Sequence, residues 1–343
     1  MTKKPVVAIL GATGAVGQEF IRLIEERNFP YSTLKLLASA RSAGKKMTVN
    51  GQEYTIEEAK PESFDGVDIG LFAGGSISKE LGPEAAKRGC VVIDNSSTFR
   101  MDPEVPLVVP EVNPEDISWH KNIIANPNCS TIIMLMALKP IHDLSPIKKI
   151  VVSTYQAVSG AGKEGLDELR EETVDYLNGR EMQPHILPSK SLPKHYPIAF
   201  NLIPQIDVFT ENGYTKEEMK MYNETRKIMH SDVKVSATCV RVPALRAHSE
   251  SIWVETERPI SVEEAREAFA NGEGLVLQDN PAEKEYPMPL FLAGKDPVYV
   301  GRIRKDLTNE NGLTFWIVGD QIKKGAALNA VQIAEYLIKV KNI

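Results

Sequence analysis

Three glycines spaced three apart, in G-A-T-G-A-V-G from Gly11 to Gly17, constrain this chain more than any other stretch. The apolar run V-V-A-I-L stops at Leu10, directly before them, and reads as a buried strand over 6–10. Behind them Val16, Phe20, Leu23 and Ile24 recur at helical spacing, which predicts a helix over 15–27. Glycines between a strand and a helix allow a tight turn and let a pyrophosphate approach backbone N–H groups at the helix start. The spacing is G-x-x-G-x-x-G rather than the commoner G-x-G-x-x-G, so the motif alone leaves open a packing turn without a ligand. Further strands are expected over 34–38, 67–73, from Cys90 and over 123–125, with a helix over 78–88. Strands alternating with helices imply an α/β, Rossmann-type doubly wound sheet covered on both faces.

The pattern changes after Leu138. Long strands are expected over 148–156, 233–242, 249–256, 298–303 and 313–318, with helices over 163–177 and 216–229. These predict an α+β second domain built on a mainly antiparallel sheet. A loop-like stretch from Gln183 carries Pro184, Pro188, Pro193, Pro197 and Pro204. The segment 323–340 reads as a helix with Ala330, Val331, Ala334, Leu337 and Ile338 on one face, a stripe that needs a partner surface such as the first domain. The expected division is 1–128 with 323–343, and 129–322.

Composition narrows the function. A chain of 343 residues favours two domains. No apolar run reaches the ~20 residues that cross a bilayer. Three cysteines without a spacing framework argue against a disulfide scaffold and for a cytoplasmic protein. A net charge of -6 offers no basic footprint for nucleic acid, and no Cys or His pair has zinc-ligand spacing. Metal and membrane are not expected.

The second strand discriminates between cofactors. An acid near its end would hold the ribose 2′-OH of NAD. No acid occurs between Leu34 and Lys46, whereas Ser39, Arg41 and Ser42 suit a 2′-phosphate. NADP is therefore expected over NAD.

N-P-N-C-S-T, Asn126 to Thr131, places Cys129 at a predicted helix start, where N–H groups and the dipole stabilise a thiolate. Cys90 and Cys239 lie in apolar strands and read as core. The position favours a nucleophile for Cys129, with a redox thiol as the alternative. A nucleophilic thiolate needs a proton acceptor. His248, in R-V-P-A-L-R-A-H-S-E, is favoured from the residues alone, with His185 and His195 in the Pro-rich loop as alternatives. A cysteine nucleophile beside a nicotinamide points to a thioester that exchanges hydride, with an aldehyde on one side and an acyl phosphate or acyl-CoA on the other.

G-A-T-G-A-V-G, S-S-T-F-R-M (Ser96 to Met101), N-P-N-C-S-T, Y-Q-A-V-S-G-A-G (Tyr155 to Gly162), R-V-P-A-L-R-A-H-S-E and G-D-Q-I-K-K-G-A-A-L-N-A-V-Q-I-A-E (Gly319 to Glu335) together resemble aspartate-β-semialdehyde dehydrogenase over nearly the whole chain. The resemblance implies reductive dephosphorylation of L-aspartyl 4-phosphate by NADPH, giving L-aspartate 4-semialdehyde, NADP and phosphate. That step leads to lysine, methionine, threonine and diaminopimelate. By motif, Cys129 would be the nucleophile, His248 its acid/base partner and Gln156 the residue that orients the substrate. Arg100 and Lys220 match phosphate-binding positions, and Arg241 the fork that grips the α-carboxylate. Glu217 matches the residue facing the amine, with Glu218 open as the alternative, and Asn128 is either an N-cap or a contact to substrate. Cofactor contacts carried over are Gly11, Thr13, Gly14, Ala15, Val16, Ser39, Arg41, Ser42, Ser159, Gly160 and Gln321. The family assembles as a homodimer through its second domain.

Three enzymes with related chemistry are rivals. An N-acetyl-γ-glutamyl-phosphate reductase has an acetylated amine, so Glu217 would lose its purpose. Glyceraldehyde-3-phosphate dehydrogenase uses an S-C-T-T-N-type motif absent here. A malonyl-CoA reductase is a further alternative. A non-catalytic NADP-binding paralogue would be expected to lose Cys129, His248 or Arg241, all of which are present.

Overall fold

The computed structural model describes residues 4–341. Among them no helix is long and apolar enough to cross a membrane. The chain forms two compact units. Unit one runs to Asn128 and takes in Lys227–Met229 and the stretch from Gly325; unit two comprises Cys129–Arg226 and His230–Lys324.

Unit one contains β1 (Val6–Leu10), α1 (Ala15–Glu26), β2 (Thr33–Ala38), β3 (Lys46–Val49), β4 (Gln52–Thr55), β5 (Glu57–Glu58), β6 (Ile69–Phe72), α2 (Ser78–Lys87), β7 (Val91–Asp94) and β8 (Ile123–Ala125). Six strands pair in parallel, in the order β5-β2-β1-β6-β7-β8. Period-two alternation explains why these strands read as unbroken apolar runs. Val7 and Ile9 enter one core with Phe20 and Ile24 of α1, while Ala8 and Leu10 enter another with Leu81 and Ala85 of α2. Burial of each large side chain contributes about 1.5–3 kcal/mol. The β3–β4 hairpin is not anticipated from the sequence. Its short strands are largely polar, and Asn50 and Gly51 turn it with φ of 50° and 74°.

Unit two contains α3 (Cys129–Leu144), β9 (Ile147–Ala157), α4 (Gly162–Leu177), α5 (Lys216–Ile228, whose end falls in unit one), β10 (Lys234–Val242), β11 (His248–Thr256), α6 (Val262–Asn271), β12 (Leu275–Leu277), α7 (Pro289–Leu292), β13 (Val298–Lys305) and β14 (Gly312–Gly319). The sheet order is β10-β9-β11-β14-β13-β12. The central pairs are antiparallel, and each edge strand, β10 and β12, pairs in parallel. The sheet is therefore mainly antiparallel, as expected, with parallel edges that the sequence did not reveal. Helix α3 packs on β9, β11, β13, β14 and α6, and is buried on all sides from Ser130 to Leu138. Gly319 permits this approach, because a Cβ there would lie 2.9 Å from Ile133 Cγ1.

The Pro-rich stretch is not loose. Glu168 and Glu172 of α4 accept the backbone N–H groups of His185, Ile186 and Leu187, and of Ile198 and Ala199. The segment expected as one helix over 323–340 begins instead with a π-helical turn, Lys323–Ala327, followed by α8 (Leu328–Lys341). Val331, Ala334 and Leu337 of α8 lie in the unit one core with Phe20 and Ile24.

Candidate active site

Cys129 is the first residue of α3, and the turn before it is fixed from several directions in unit one. The Asn126 N–H donates to the Asp94 carbonyl at 2.8 Å. Its Nδ2 donates to Asn95 Oδ1 at 2.8 Å and to the Ala326 carbonyl at 3.2 Å. Asn329 Nδ2 donates to Asn126 Oδ1 at 2.7 Å. Arg100 Nε donates to the Asn126 carbonyl and Nη2 to the Asn95 carbonyl, both at 2.9 Å. Sequence reasoning missed Asn126 and Asn329, which stand 203 residues apart. Asn128 is buried.

The three thiols differ as burial dictates. Desolvation, helped by Asp68, pushes Cys90 up to about 12, and desolvation with Glu217 next raises Cys239 well above a free thiol. Cys129 alone is partly exposed.

The remaining polar groups project from one face of the unit two sheet. Gln156 and Arg241 are register partners, as are Thr154 and Glu250, and alternation adds Cys239 and His248 to that face. All six are buried. Gln156 Nε2 bonds Ser130 Oγ of α3 and donates to Glu217 Oε1 of α5 at 3.1 Å. Lys220 Nζ donates to Glu217 Oε2 at 3.0 Å and to Asp207 Oδ2 at 3.4 Å. Glu218 turns away: it accepts the N–H groups of Thr215 and Cys239 at 2.7 and 2.9 Å, capping α5 and fastening β10.

Arg241 Nη1 donates to the Ala157 carbonyl at 2.8 Å, while its buried Nε has no hydrogen-bond partner among the described residues. Burial lowers the guanidinium pKa, against the pull of Glu217 and Cys129. The Ala157 N–H donates to His248 Nδ1 at 3.1 Å, so the neutral ring carries its proton on Nε2. Burial and then Arg241 push His248 down to about 3, with Glu217 and Asp320 opposing. Neither oxygen of Glu250 has a hydrogen-bond partner among the described residues, and burial, then the Glu217 charge, raises its pKa well above that of a free carboxyl. Gly160 lies close over Arg241 and His248: a Cβ there would meet Arg241 Nη1 at 2.8 Å and His248 Cε1 at 3.3 Å. Gln321 Nε2 bonds Ser159 Oγ, and Gln321 Oε1 accepts the Ala247 N–H at 2.9 Å. Unit two thus ties Glu218 into backbone bonds, buries Cys239, and gathers Gln156, Glu217, Lys220, Arg241 and His248 into one polar cluster.

Unit one carries the glycine turn. Gly14 caps α1 without a side-chain bond, and no acid occupies the first turn, which leaves its N–H groups available to an anion. Gly17 admits no other residue, since a Cβ would lie 2.1 Å from the Gly11 carbonyl oxygen. Thr13 and Val16 are half-buried beside the exposed Gly14 and Ala15. Beyond β2, Ser39 and Arg41 are exposed and Ser42 is buried in a single 3-10 turn. This cradle fits a dinucleotide phosphate. The sheet also sets Glu58 of β5 opposite Ala38, an acid invisible to a reading of β2 alone, and Lys60 pairs with its carboxylate at 2.8 Å. Among the described residues no group of three or more His, Cys, Asp or Glu side chains could hold a metal ion.

Two families match in sequence: the semialdehyde dehydrogenase NAD binding domain over residues 6–120, and the semialdehyde dehydrogenase dimerisation domain over 138–324. The chain is 57% identical over 337 residues to an aspartate-semialdehyde dehydrogenase of Bacillus subtilis, covering 97% of each chain. A crystal structure of aspartate semialdehyde dehydrogenase II complexed with ASA from Vibrio cholerae matches with a TM-score of 0.93 and 48% identity, over 98% of this chain and 99% of that one. The Candida albicans enzyme, solved with NADP, matches with a TM-score of 0.76 and 26% identity, over 99% of this chain and all of that one (100%).

Proposed function

The chain belongs to the aspartate-semialdehyde dehydrogenase family, and from that premise we propose how its residues divide the work. The protein is an oxidoreductase of amino-acid biosynthesis that interconverts aspartyl phosphate and aspartate semialdehyde. The observation that carries the assignment of roles is the single buried face bearing Gln156, Arg241 and His248 beneath the start of α3. Arg241 is the fork for the α-carboxylate, its unpaired Nε being free for a charged partner. Glu217 meets the ammonium group, and Lys220 and Arg100 meet phosphate. Asn128 stays with the substrate side of the turn.

Cys129 attacks the acyl carbon, forming the C–S bond of a tetrahedral adduct whose C–O bond to phosphate then breaks. Gln156 orients the resulting thioester. NADP(H), when bound, supplies or accepts the hydride. His248 donates from Nε2 to the oxyanion. Negative charge brought in by the substrate favours the imidazolium needed for full proton transfer, drawing Nδ1 off the Ala157 amide. We assign the pyrophosphate to Gly11, Thr13, Gly14, Ala15 and Val16, the 2′-phosphate to Ser39, Arg41 and Ser42, and the nicotinamide to Ser159, Gly160 and Gln321. The unit two surface supports homodimerisation: Tyr176 and Phe200 meet with ring centroids 4.5 Å apart and planes tilted by 40°, and Val174, Leu177, Leu202 and Leu245 are exposed as well.

The test runs the reaction from semialdehyde, phosphate and NADP and follows NADPH. Cys129→Ser is expected to lower kcat by about a thousandfold or more. Turnover unaffected by that change would remove the thioester, and equal use of NAD would remove the cofactor preference.

A further inference from the structure

The corner that delivers His248 is held in a conformation its own residue disfavours. Ala247 is fully buried with φ at 71°. In this left-handed region a Cβ crowds the carbonyl, and glycine is the residue that enters it freely. Such a residue persists only where its surroundings over-determine it.

The surroundings here are two side chains that follow β14. The Ala247 N–H donates to Gln321 Oε1 at 2.9 Å, and Arg246 Nε donates to Asp320 Oδ2 at 2.6 Å. Gln321 is fixed at its other end, since Nε2 bonds Ser159 Oγ. Asp320 is anchored as well, accepting the N–H groups of Ile322 and Lys323 at 2.9 Å. Ala247 packs with Leu292 and Val318, and His248 opens β11 opposite Gly319. A change at Ala247 φ would therefore swing the first residue of β11 away from the Ala157 amide that fixes its ring.

We propose that Gln321 is a positioning residue for His248: it holds Ala247 in the left-handed conformation that aims the imidazole, and so acts on the reaction through that residue in addition to its place beside the nicotinamide. This rests on His248 being the acid/base partner.

The experiment is a double-mutant cycle at saturating NADP. Gln321→Ala is expected to lower kcat about tenfold or more, because misplacement of a catalytic group acts on the chemical step, while loss of a nicotinamide contact is read separately in the KM for NADP. Ala247→Gly changes the otherwise native enzyme by less than about threefold, and in the Gln321→Ala background restores kcat to near that level, because glycine takes the left-handed conformation unaided. Gln321→Met, which keeps volume and removes the acceptor, gives the same comparison if the alanine variant fails to fold. A rise in the KM for NADP with kcat retained, or no recovery in the double variant, overturns the proposal. His248→Ala separates the two readings. If it keeps native kcat, the assignment of His248 fails. If it is inactive while the cycle shows no rescue, only the role of Gln321 fails.

Discussion

The two six-stranded sheets solve the same problem in opposite ways. In unit one, β1, β2, β6 and β7 bury apolar side chains on both faces, and the chemistry-bearing groups sit beyond strand ends, in the Gly11–Gly17 turn and around Arg41. In unit two, polar and ionisable side chains stand inside the strands: Thr154 and Gln156 of β9, Arg241 of β10, and His248 and Glu250 of β11. The first arrangement recognises a ligand with backbone groups and carries little desolvation cost. The second places charge in a low-dielectric floor, and the displaced pKa values of Arg241, His248 and Glu250 are the consequence.

The sharpest way to break this contrast is Arg241→Leu. Loss of a buried charged fork is expected to weaken kcat/KM for the semialdehyde by about 3 kcal/mol or more, a hundredfold or greater effect, while the melting temperature stays level or rises as a desolvated charge is removed. Steady-state kinetics and calorimetry read both. Unit one responds in the opposite sense. Gly17→Val is expected to cost about 3 kcal/mol of stability through overpacking against the Gly11 carbonyl, seen in urea unfolding, before any effect on catalysis.

Glu250→Gln tests the desolvated floor more gently. An acid whose folded pKa is raised binds its proton more tightly in the folded state, so its cost to stability is absent below the unfolded value near ~4.3 and grows as pH rises above it. The glutamine variant should therefore melt higher than the native enzyme at pH 8, with the gap closing toward pH 5. A gap that stays constant with pH would mean that Glu250 is not the titrating group. The smallest effect is expected at the exposed edge of unit one: Arg41→Ala should raise the KM for NADP by about tenfold and leave that for NAD unchanged.

The same contrast explains what was legible in the sequence. Unbroken apolar runs such as V-V-A-I-L identify buried parallel strands because both faces demand the same chemistry. The β3–β4 hairpin escaped because K-M-T-V and Q-E-Y-T carry no such demand, although Asn50–Gly51 is a hairpin signal. Helix α6 opens on a Ser261–Glu264 capping box, a signal that the sequence carries locally. At the site, local motifs reach Cys129, His248 and Arg41. The sequence favours Glu217 with Glu218 as the alternative, and the bonds of Gln156 and Lys220 to Glu217, and of Thr215 and Cys239 to Glu218, separate their settings. Asn329 on Asn126 and Gln321 on Ala247 depend on backbone paths that close over long separations, which no local pattern encodes.

Unit one is interrupted: its first stretch ends at Asn128 and α8 begins at Leu328. On a ribosome moving at about 5–20 residues per second, α8 emerges roughly 10–40 seconds after β8. Throughout that interval the part of the unit one core that α8 will cover, including Phe20 and Ile24 of α1, stays open, and the turn before Cys129 lacks Asn329. Unit two, by contrast, is largely continuous and is synthesised within the interval. The reactive thiol is thus translated early but finished late, and a chain stalled before α8 presents both an apolar surface to chaperones and an unfinished nucleophile.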